Sequence, residues 1–376
     1  MTLRIEVTHT DGAARRGVVT TPRGSFQTPV FMPVGTRGAV RTIDTDDLDR
    51  LGPEIILGNT YHLMLRPGAG LIEGQGGLHR FMDWGGHVLT DSGGYQVFSL
   101  SPDVDDDGAM FKSTYDGSMH RLTPEGAVEV QSQLGSDIQM VLDVCPALPA
   151  TQAELTAAVS TSAAWAARAR TEFETRHAAG LEAGTAPAQF GIVQGGVDVA
   201  MRAQSAERTV PIGFEGIAIG GLSVGEERHA MLDTIAATIE HLPTDKPRYL
   251  MGVGDPVGIV ESIALGIDMF DCVLPTRLAR HGTALTDDGR LNIGGARFAN
   301  DDQPLDPGFP GSPAARYSRA YLRHLSKVGE TTAARILTLH NLAWLARLVE
   351  RTRTAIEQGT LDALRAQVTV AWAPER

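Results

Sequence analysis

Short apolar runs recur along the chain, separated by glycines, polar residues and longer amphipathic segments. Each run is rich in Val, Ile, Leu, Met or Phe and ends near Gly, Asp, Gln or Asn. Such near-continuous apolar runs are typical of strands that are buried on both faces of a parallel sheet. The pattern predicts eight strands, over residues 28–35, 54–60, 87–94, 138–145, 189–196, 214–221, 248–254 and 267–274.

Helical patterns lie between the predicted strands, over residues 123–135, 151–179, 197–209, 226–241 and 256–265. Thr123, followed by Glu125 in the first turn, is a suitable N-cap for the first of these helices. Alternation of eight strands with helices predicts an α/β fold of the (β/α)8, or TIM-barrel, type. An open doubly wound sheet is the alternative, because strands are easily miscounted from a single sequence.

Composition and charge narrow the class of protein. Apolar residues make up 42% and charged residues 21% of the 376 residues, as is ordinary for a globular protein. The formal net charge of −12 argues weakly against binding to nucleic acid, but a total charge does not tell where the charges lie. No apolar run reaches the ~18 residues of a membrane span, and the N-terminus lacks the apolar core of a signal peptide. Two cysteines, Cys145 and Cys272, are too few for a disulfide framework. We therefore expect a cytoplasmic protein without membrane contact.

Chemically informative residues stand at the ends of six predicted strands. Barrel enzymes place their catalytic groups at the carboxyl ends of the strands. Any one of these residues could be a helix cap or a turn residue, but three carboxylates and an amide at one mouth would be costly without partners or a ligand. We therefore expect the functional site to be formed by Asp91, Asp143, Gln194, Gly221, Gly252 and Asp271.

Five motifs carry a family resemblance. They are LTDSGGYQVFSL (89–100), FGIVQGG (190–196), IAIGGLSVGE (217–226), RYLMGVGDP (248–256) and GIDMFDCVLPTR (266–277). In this order they closely resemble the bacterial queuosine-type tRNA-guanine transglycosylases. That family has a (β/α)8 barrel with a small zinc-binding insertion near its C-terminal end. The resemblance thus implies a main barrel in residues 1–276, an inserted subdomain in 277–340, and C-terminal helices completing the barrel in 341–376.

The resemblance implies a base exchange in queuosine biosynthesis. Guanine at the anticodon wobble position of tRNA would be replaced by preQ1, 7-aminomethyl-7-deazaguanine, through a covalent glycosyl-enzyme intermediate. Such chemistry needs a nucleophilic carboxylate and a second group that handles the proton of the base. By resemblance, Asp271 is the nucleophile and Asp91 the general acid/base. The implied partners are the tRNA anticodon loop, guanine or preQ1, and a second copy of the chain in a homodimer.

The resemblance also assigns the base-binding residues. Asp143 would accept hydrogen bonds from N1–H and the 2-amino group, while Gln194 and the N–H of Gly221 would read the 6-oxo oxygen. A wrong base would leave the buried carboxylate unpaired, which makes such a site selective. Tyr95 and Met251 would sandwich the base. The full predicted set is Asp91, Ser92, Gly93, Gly94, Tyr95, Asp143, Gln194, Gly221, Leu222 and Met251.

Two positions bear on which base is used. The family commonly has Asp-Glu-Cys where this chain has Asp143-Val144-Cys145. The usual Glu helps the pocket to accommodate the aminomethyl cation, so Val144 puts the preference for preQ1 over guanine in doubt. Val224 keeps bulk where relatives that use the larger base queuine have a smaller residue, which favours a bacterial-type base.

A basic segment offers a surface for RNA. Residues 316–353 contain eight Lys and Arg against two Glu. Arg316, Arg319, Arg323 and Lys327 recur at helical spacing, so on one helix they would form a stripe able to neutralise phosphates. A merely solvated helix face is the alternative. By resemblance, RNA would also be contacted by Gly252, Val253, Gly254, Asp255, Pro256, Val257, Gly258, Thr276, Arg277, Leu278, Ala279 and Arg280.

The family zinc is predicted to be absent, and no other cofactor is expected. When PLDPGFPGSPAARYSRAYL (304–322) is compared with the family pattern, the three cysteine positions fall on Phe309, Gly311 and Ala314. His340 matches the fourth ligand, but a structural zinc site normally needs four Cys or His donors. Prolines at 307, 310 and 313 would instead stiffen the loop.

Other readings of the sequence differ in function. A non-catalytic RNA-binding subunit of a transglycosylase heterodimer should have lost a catalytic residue, whereas this chain keeps Asp91, Asp143, Gln194 and Asp271. A second alternative is a transglycosylase that acts on another base or on DNA, and the departure from the family pattern at Val144 is consistent with it. A phosphate-binding metabolic barrel enzyme has only the fold in its favour.

Overall fold

Eight parallel strands close into a barrel, each hydrogen-bonded to the next and the last to the first. The computed structural model describes residues 2–100 and 102–373. Every barrel strand falls within a predicted apolar run, except that Ala188–Val193 begins one residue before its run, so the prediction of a (β/α)8 barrel is confirmed. In order around the barrel the strands are Val30–Gly35, Ile55–Gly58, His87–Thr90, Ile138–Met140, Ala188–Val193, Gly216–Ile219, Arg248–Leu250 and Met269–Cys272.

Helices follow the barrel strands and cover the outside of the barrel. Thr123 caps the helix Pro124–Leu134 as expected, since its side chain accepts from the N–H of Gly126. The remaining helices are Thr45–Leu51, Thr60–Leu65, Ala69–Gly74, Gly77–Met82, Gly94–Phe98, Gln152–Arg176, Ala178–Ala183, Val199–Thr209, Arg228–Ile239, Pro256–Ala264, Leu274–Arg280, Arg319–Lys327, Thr331–Gln358 and Leu361–Ala371, with 3-10 turns at Val210–Ile212 and Ala296–Phe298.

Among the described residues, three small antiparallel sheets lie outside the predicted strands, apart from Thr28 at the start of the first predicted run. The sheet Arg4–Asp11, Ala14–Thr21 and Gly24–Thr28 covers the N-terminal end of the barrel, where Arg15 forms an ion pair with the fully buried Asp268. A second sheet, Asp103–Asp105, Gly108–Lys112 and Met119–Leu122, stands between the third and fourth barrel strands. The third is the hairpin Thr283–Thr286 and Gly289–Asn292.

The inserted subdomain has a small apolar core of its own, which includes Ala279, Ile293, Phe298, Leu322 and Leu337. Its last element is the helix Thr331–Gln358, which continues without a break into the barrel core. The expected boundary between residues 340 and 341 lies within this helix, so the subdomain and the C-terminal part share one element. No helix among the described residues is long and apolar enough to cross a membrane.

Candidate active site

A cavity of about 550 Å³ opens at the carboxyl ends of the barrel strands. Asp91 and Asp271 line it, and so do all the predicted base-binding residues except Gly93. Gly93 lies behind the cavity wall and donates its N–H to Asp91 at 3.1 Å. The strand-end residues that the sequence singled out therefore meet in one place.

Asp271 is held by two donors at the end of its strand. The hydroxyl of Tyr249 and the N–H of Gly252 donate to Asp271 Oδ1 at 2.6 and 2.8 Å. No described residue donates to Oδ2, which leaves that oxygen available as a nucleophile. Burial raises the pKa of Asp271, and the bonds from Tyr249 and Gly252 oppose that rise by stabilising the ionised form.

Asp91 is bonded differently and is suited to proton transfer. Asn59 Nδ2 donates to its Oδ2 at 2.5 Å, and the N–H of Thr60 donates to its Oδ1 at 2.8 Å. Burial, reinforced by the charges of Asp271 and Asp143, raises the pKa of Asp91 to about 7, although the bonds from backbone N–H groups lower it. A group with this pKa exchanges protons readily near neutrality, as a general acid/base must.

Asp143 and Gln194 form the inner wall of the cavity. Gln194 Nε2 donates to Asp143 Oδ2 at 2.5 Å, while Gln194 Oε1 is buried without a hydrogen-bond partner among the described residues. Burial raises the pKa of Asp143 to about 6, so this carboxyl is largely ionised above neutrality. Gly221 lies against Gln194 with φ +66°, and a Cβ there would overlap Gln194 Oε1. The inner wall therefore presents the Asp143 carboxylate as an acceptor and the Gln194 side-chain amide. Residue 221 beside them must be glycine, because any larger side chain would overlap Gln194.

The other predicted base-binding residues lie around the opening. Tyr95 is 63% exposed at the rim, whereas Leu222 is buried and Met251 is partly buried. Val224 lines the cavity as well, but Val144 does not: its side chain packs against the cluster that contains Trp165. Stacking of Tyr95 and Met251 on a base remains a prediction.

The two cysteines also reach the cavity but are poor nucleophiles. Burial raises the pKa of the Cys145 thiol to about 12 and that of the Cys272 thiol to about 11. Both thiols are therefore protonated at neutral pH, and a thiol is far less reactive than a thiolate. The thiols are thus poorly suited to nucleophilic attack at neutral pH, whereas the carboxyl groups of Asp91, Asp143 and Asp271 line the same cavity.

Asn59, Thr60 and Tyr249 were not predicted as site residues. Asn59 closes the apolar run Ile55–Gly58 and caps the next helix, accepting from the N–H of His62, so its place at a strand end was a usable signal. Tyr249 lies inside a strand and is fully buried, and nothing in its sequence context separates it from the core. Its role becomes visible only through its bond to Asp271.

Replacing Tyr249 with Phe tests this bond. Loss of the hydroxyl should raise the pKa of Asp271 further, because a donor that stabilises the ionised form is removed. For the base exchange that the resemblance implies, we expect the acid limb of the kcat/KM profile to move to higher pH by about one to two units. Tyr61→Phe is the matched control, since the Tyr61 hydroxyl bonds to Thr114 Oγ1 at 3.0 Å. An acid limb that shifts equally in both variants would contradict the assignment.

The predicted RNA-binding segments are only partly accessible. Gly252, Arg277 and Arg280 are exposed, and Asp255 and Leu278 are partly exposed. The other predicted residues are buried, but Gly254 lines this cavity and Val257 lines a second one, so contact between this set and RNA stays a prediction. The buried residues are Val253, Gly254, Pro256, Val257, Gly258, Thr276 and Ala279.

The basic stripe also differs from the prediction. Arg316 lies in a turn, because Ser318 caps a helix that begins at Arg319. Arg319 donates to the carbonyl of Leu305 and to Asp301, and Arg323 Nε donates to the carbonyl of Gly295 at 3.0 Å. A single stripe of four free cations on one helix is therefore wrong.

Lys327 belongs instead to a second cavity, of about 950 Å³, that adjoins the first. Three arginines, Arg228, Arg290 and Arg297, line it together with Lys327. Asp255 borders both cavities and pairs with Arg228 at 2.7 Å. The cationic surface thus runs from the mouth of the barrel towards the inserted subdomain.

The residues at the family's zinc positions do not fit a metal site. Phe309, Gly311 and Ala314 have no donor side chain, and the described residues contain no cluster of three His, Cys, Asp or Glu that could hold an ion. His340 Nε2 donates to the carbonyl of Leu285 at 2.7 Å, and Ser312 Oγ donates to His340 Nδ1 at 2.7 Å. Burial lowers the pKa of His340 to about 4, so the ring is neutral at physiological pH.

Comparison with known proteins agrees with this arrangement. The family model described as "Queuine tRNA-ribosyltransferase" matches residues 10–374. The queuine tRNA-ribosyltransferase of Mesorhizobium japonicum is 49% identical over 371 residues, covering 98% of this chain and 96% of that protein. The protein of the same name from Herpetosiphon aurantiacus is 50% identical over 355 residues, covering 93% and 88%. The chain therefore belongs to the queuine tRNA-ribosyltransferase family.

Proposed function

We propose that this protein exchanges guanine at the wobble position of tRNA for preQ1, as a step of queuosine biosynthesis. The observation that carries the proposal is the pair of differently bonded carboxylates in one cavity. Asp271 is fixed through one oxygen, whereas Asp91 has a pKa of about 7. Retaining glycosyl transfer needs this combination of a nucleophile and a proton-handling group.

The exchange proceeds in two displacements at C1′ of the wobble nucleotide. In the first, ionised Asp271 bonds to C1′ as the bond from C1′ to the base nitrogen breaks, and Asp91 supplies a proton to the departing guanine. In the second, Asp91 takes the N9 proton of the incoming base, and that nitrogen displaces Asp271 from C1′. Two inversions restore the original configuration, and Asp91 and Asp271 both return to their starting states.

Base selection falls to the inner wall of the cavity. Asp143 accepts from N1–H and the 2-amino group, and Gln194 turns its amide from Asp143 to the 6-oxo oxygen. The N–H of Gly221 supplies the second donor to that oxygen. Adenine has an amino group at this position and lacks N1–H, so it would leave Asp143 and these donors unpaired at a cost of roughly 1–3 kcal/mol for each group.

An isotope exchange assay tests the function. Unmodified tRNA with guanine at the wobble position is incubated with the protein and radiolabelled guanine or preQ1 in separate reactions. Incorporation of either label into the anticodon loop is expected, and tRNA with adenine at that position should take up none. Comparison of the two labels also settles the base preference that Val144 put in doubt. Absence of exchange with both bases would overturn the proposal.

The second cavity provides a path for the phosphates of the anticodon arm. We place Arg290, Arg297 and Lys327 against the backbone, because all three are exposed and the cavity that they line adjoins the reaction site. Bases that flank the flipped wobble base would meet Arg277 and Arg280, and splayed loop bases are the usual target of RNA recognition. We extend the proposal to a homodimer in the cytoplasm, the state expected from the resemblance.

Replacing Arg290 and Lys327 with Gln should weaken tRNA binding and flatten its salt dependence. Each lost phosphate contact should reduce the slope of log K against log salt by about 0.7 to 0.9. Arg4→Gln is the control, since Arg4 is exposed on the sheet at the opposite end of the barrel. The affinity for tRNA is measured by fluorescence anisotropy from 50 to 300 mM KCl. If the slope of log K against log salt is unchanged in the double variant, the phosphate backbone does not contact Arg290 and Lys327.

We further propose that the inserted subdomain is held together without zinc. Arg347, on the helix Thr331–Gln358, makes the contacts that would hold the loop of residues 304–318 in place of a metal. Its guanidinium lies 4.2 Å from the centroid of the Phe309 ring, bonds to Asp287 at 2.6 Å and donates to the carbonyl of Gly308 at 3.2 Å. These contacts and the Ser312–His340 bond join the loop to the helix Thr331–Gln358.

Chelation should therefore leave the unfolding temperature unchanged. Arg347→Met should lower the free energy of unfolding by about 1–2 kcal/mol, because the cation–π contact and two hydrogen bonds are lost. Differential scanning calorimetry with and without EDTA, together with elemental analysis, measures both effects. Stoichiometric zinc whose removal destabilises the protein would show that a metal holds the loop after all.

A further inference from the structure

Arg202 is a buried arginine close to the base-reading wall of the cavity. It lies on the helix Val199–Thr209, and its exposed fraction is 0%. Burial lowers its pKa to about 10, so the guanidinium stays cationic at neutral pH. A buried cation is costly unless its donors are satisfied, and its partners here are backbone carbonyls rather than carboxylates. Nothing in the catalytic chemistry described above uses this group.

The carbonyls that Arg202 binds come from the two segments that read the base. Its Nε donates to Gly196 at 2.8 Å, and its Nη1 donates to Val193 at 2.9 Å and to Gly220 at 2.7 Å. A weaker bond joins Nη2 to the carbonyl of Gly221 at 3.4 Å. One planar group thus ties the backbone on both sides of Gln194 to the Gly220–Gly221 turn.

Because the peptide group is planar, the bond from Arg202 to the carbonyl of Gly220 also fixes the direction of the N–H of Gly221. In a trans peptide the C=O and the following N–H point in opposite directions. When Arg202 holds the carbonyl of Gly220, the N–H of Gly221 must point away from the guanidinium. Gly221 lines the cavity and Arg202 does not, so this N–H is directed to the cavity side.

Gln194 is coupled to the same turn. Its Oε1 lies so close to Gly221 that a Cβ at that glycine could not be accommodated, and a Cβ at Gly220 would lie 2.6 Å from Gln194 Nε2. A shift of the turn would therefore displace the amide as well as the N–H of Gly221. Both groups that read the 6-oxo oxygen depend on one position of the turn.

We propose that Arg202 is a positioning residue for base selection, which fixes the two donors that recognise the 6-oxo oxygen. The inference rests on the proposed function, because it assumes a guanine-like base in the cavity. Arg202 touches neither reacting carboxylate, so its loss should impair base binding much more than the chemical steps.

Arg202→Lys and Arg202→Met test the proposal with two bases. Guanine carries the 6-oxo oxygen, while 6-thioguanine keeps N1–H and the 2-amino group but has a weakly accepting sulfur in its place. In the variants KM for guanine should rise about tenfold, since misdirecting one hydrogen bond costs up to about that factor. The inhibition constant of 6-thioguanine should change much less, so the preference for guanine over 6-thioguanine falls. kcat at saturating guanine and KM for tRNA should stay within about twofold of wild type.

Arg248→Lys is the matched control for the cost of disturbing a buried arginine. Arg248 is 6% exposed, donates to the carbonyls of Gly266 and Leu242, and lies at the opposite end of the barrel strands. It should lower the unfolding temperature without changing the preference between the two bases. The wild-type exchange reaction distinguishes the proposed function from the proposed role of Arg202. If wild type does not exchange the base, the function is refuted; if only the Arg202 prediction fails, the function stands.

Two results would overturn the role of Arg202. The first is an unchanged preference in a folded Arg202→Lys protein, which would make the residue purely structural. The second is failure of both Arg202 variants to fold while Arg248→Lys folds, which would assign Arg202 to folding rather than to selection. A reduced preference that Arg202→Lys shows more weakly than Arg202→Met would support the proposal, because lysine retains a cation and some of the donors.

Discussion

Asp271→Asn should still bind tRNA but should form no covalent adduct with it. The amide has no anionic oxygen to attack C1′, so base exchange should fall by about a thousandfold or more. Its oxygen can still accept from Tyr249 and Gly252, which donate at 2.6 and 2.8 Å to Asp271 Oδ1, so the local structure should be kept. The loss of activity would then report on nucleophilicity rather than on folding.

Denaturing electrophoresis of protein mixed with tRNA and guanine reveals the adduct directly. Wild type should show a band of protein linked to tRNA, and Asp271→Asn should show none while its affinity for tRNA in a filter-binding assay is unchanged. Asp233→Asn, on the exposed side of the helix Arg228–Ile239, is the matched control and should keep the band. An adduct of full yield in Asp271→Asn would transfer the nucleophilic role to another residue.

The barrel could be predicted because its strands are buried on both faces. Runs such as Ile55–Gly58, in which every residue is buried, stand out from the sequence without any knowledge of their neighbours. The three outer sheets lack this signal. Arg4–Asp11 is exposed along most of its length, and Asp103–Asp105 is a short, fully exposed strand rich in acidic residues. Their pairing depends on turns and contacts with the barrel more than on hydrophobic pattern.

The same reasoning explains which site residues could be predicted. Asp91, Asp143 and Asp271 follow apolar runs, so strand position alone brought them to one mouth. Tyr249 and Arg202 lie within elements and act through partners far away in the chain, such as the carbonyl of Gly220. The predicted basic stripe is wrong for a local reason: Ser318 is a good N-cap and starts the helix at Arg319, which leaves Arg316 outside it.

Asp91→Asn should abolish exchange and also change how stability depends on pH. An amide cannot supply or take the proton of the base, so we expect a loss of about a hundredfold to ten-thousandfold at every pH from 5 to 9. Asp91 pairs with Asn59 Nδ2 at 2.5 Å, and an amide in its place faces another amide donor there. That contact lowers the stability of the variant by an amount that is nearly independent of pH. It can therefore be distinguished from the effect of Asp91 titration, which varies with pH.

The effect on stability has a defined sign. The folded pKa of Asp91 is about 7, against 3.8 for an unperturbed Asp, so between these values the folded protein holds a proton that the unfolded chain has lost. The contribution of Asp91 to stability is therefore fully present below about pH 4 and declines as pH rises, at up to about 1.4 kcal/mol per unit, until about pH 7. Asn does not titrate, so the variant escapes this decline.

The unfolding temperature of Asp91→Asn relative to wild type should therefore rise steadily from pH 4 to about pH 7 and then level off. Thermal unfolding followed by circular dichroism in buffers of equal ionic strength measures this difference. The constant Asn59 penalty shifts all values together and does not alter the trend. A difference that is flat or falls over this range would mean that Asp91 is already ionised near pH 4. In that case Asp91 could not act as a proton carrier near neutrality, and the acid/base role would have to be reassigned.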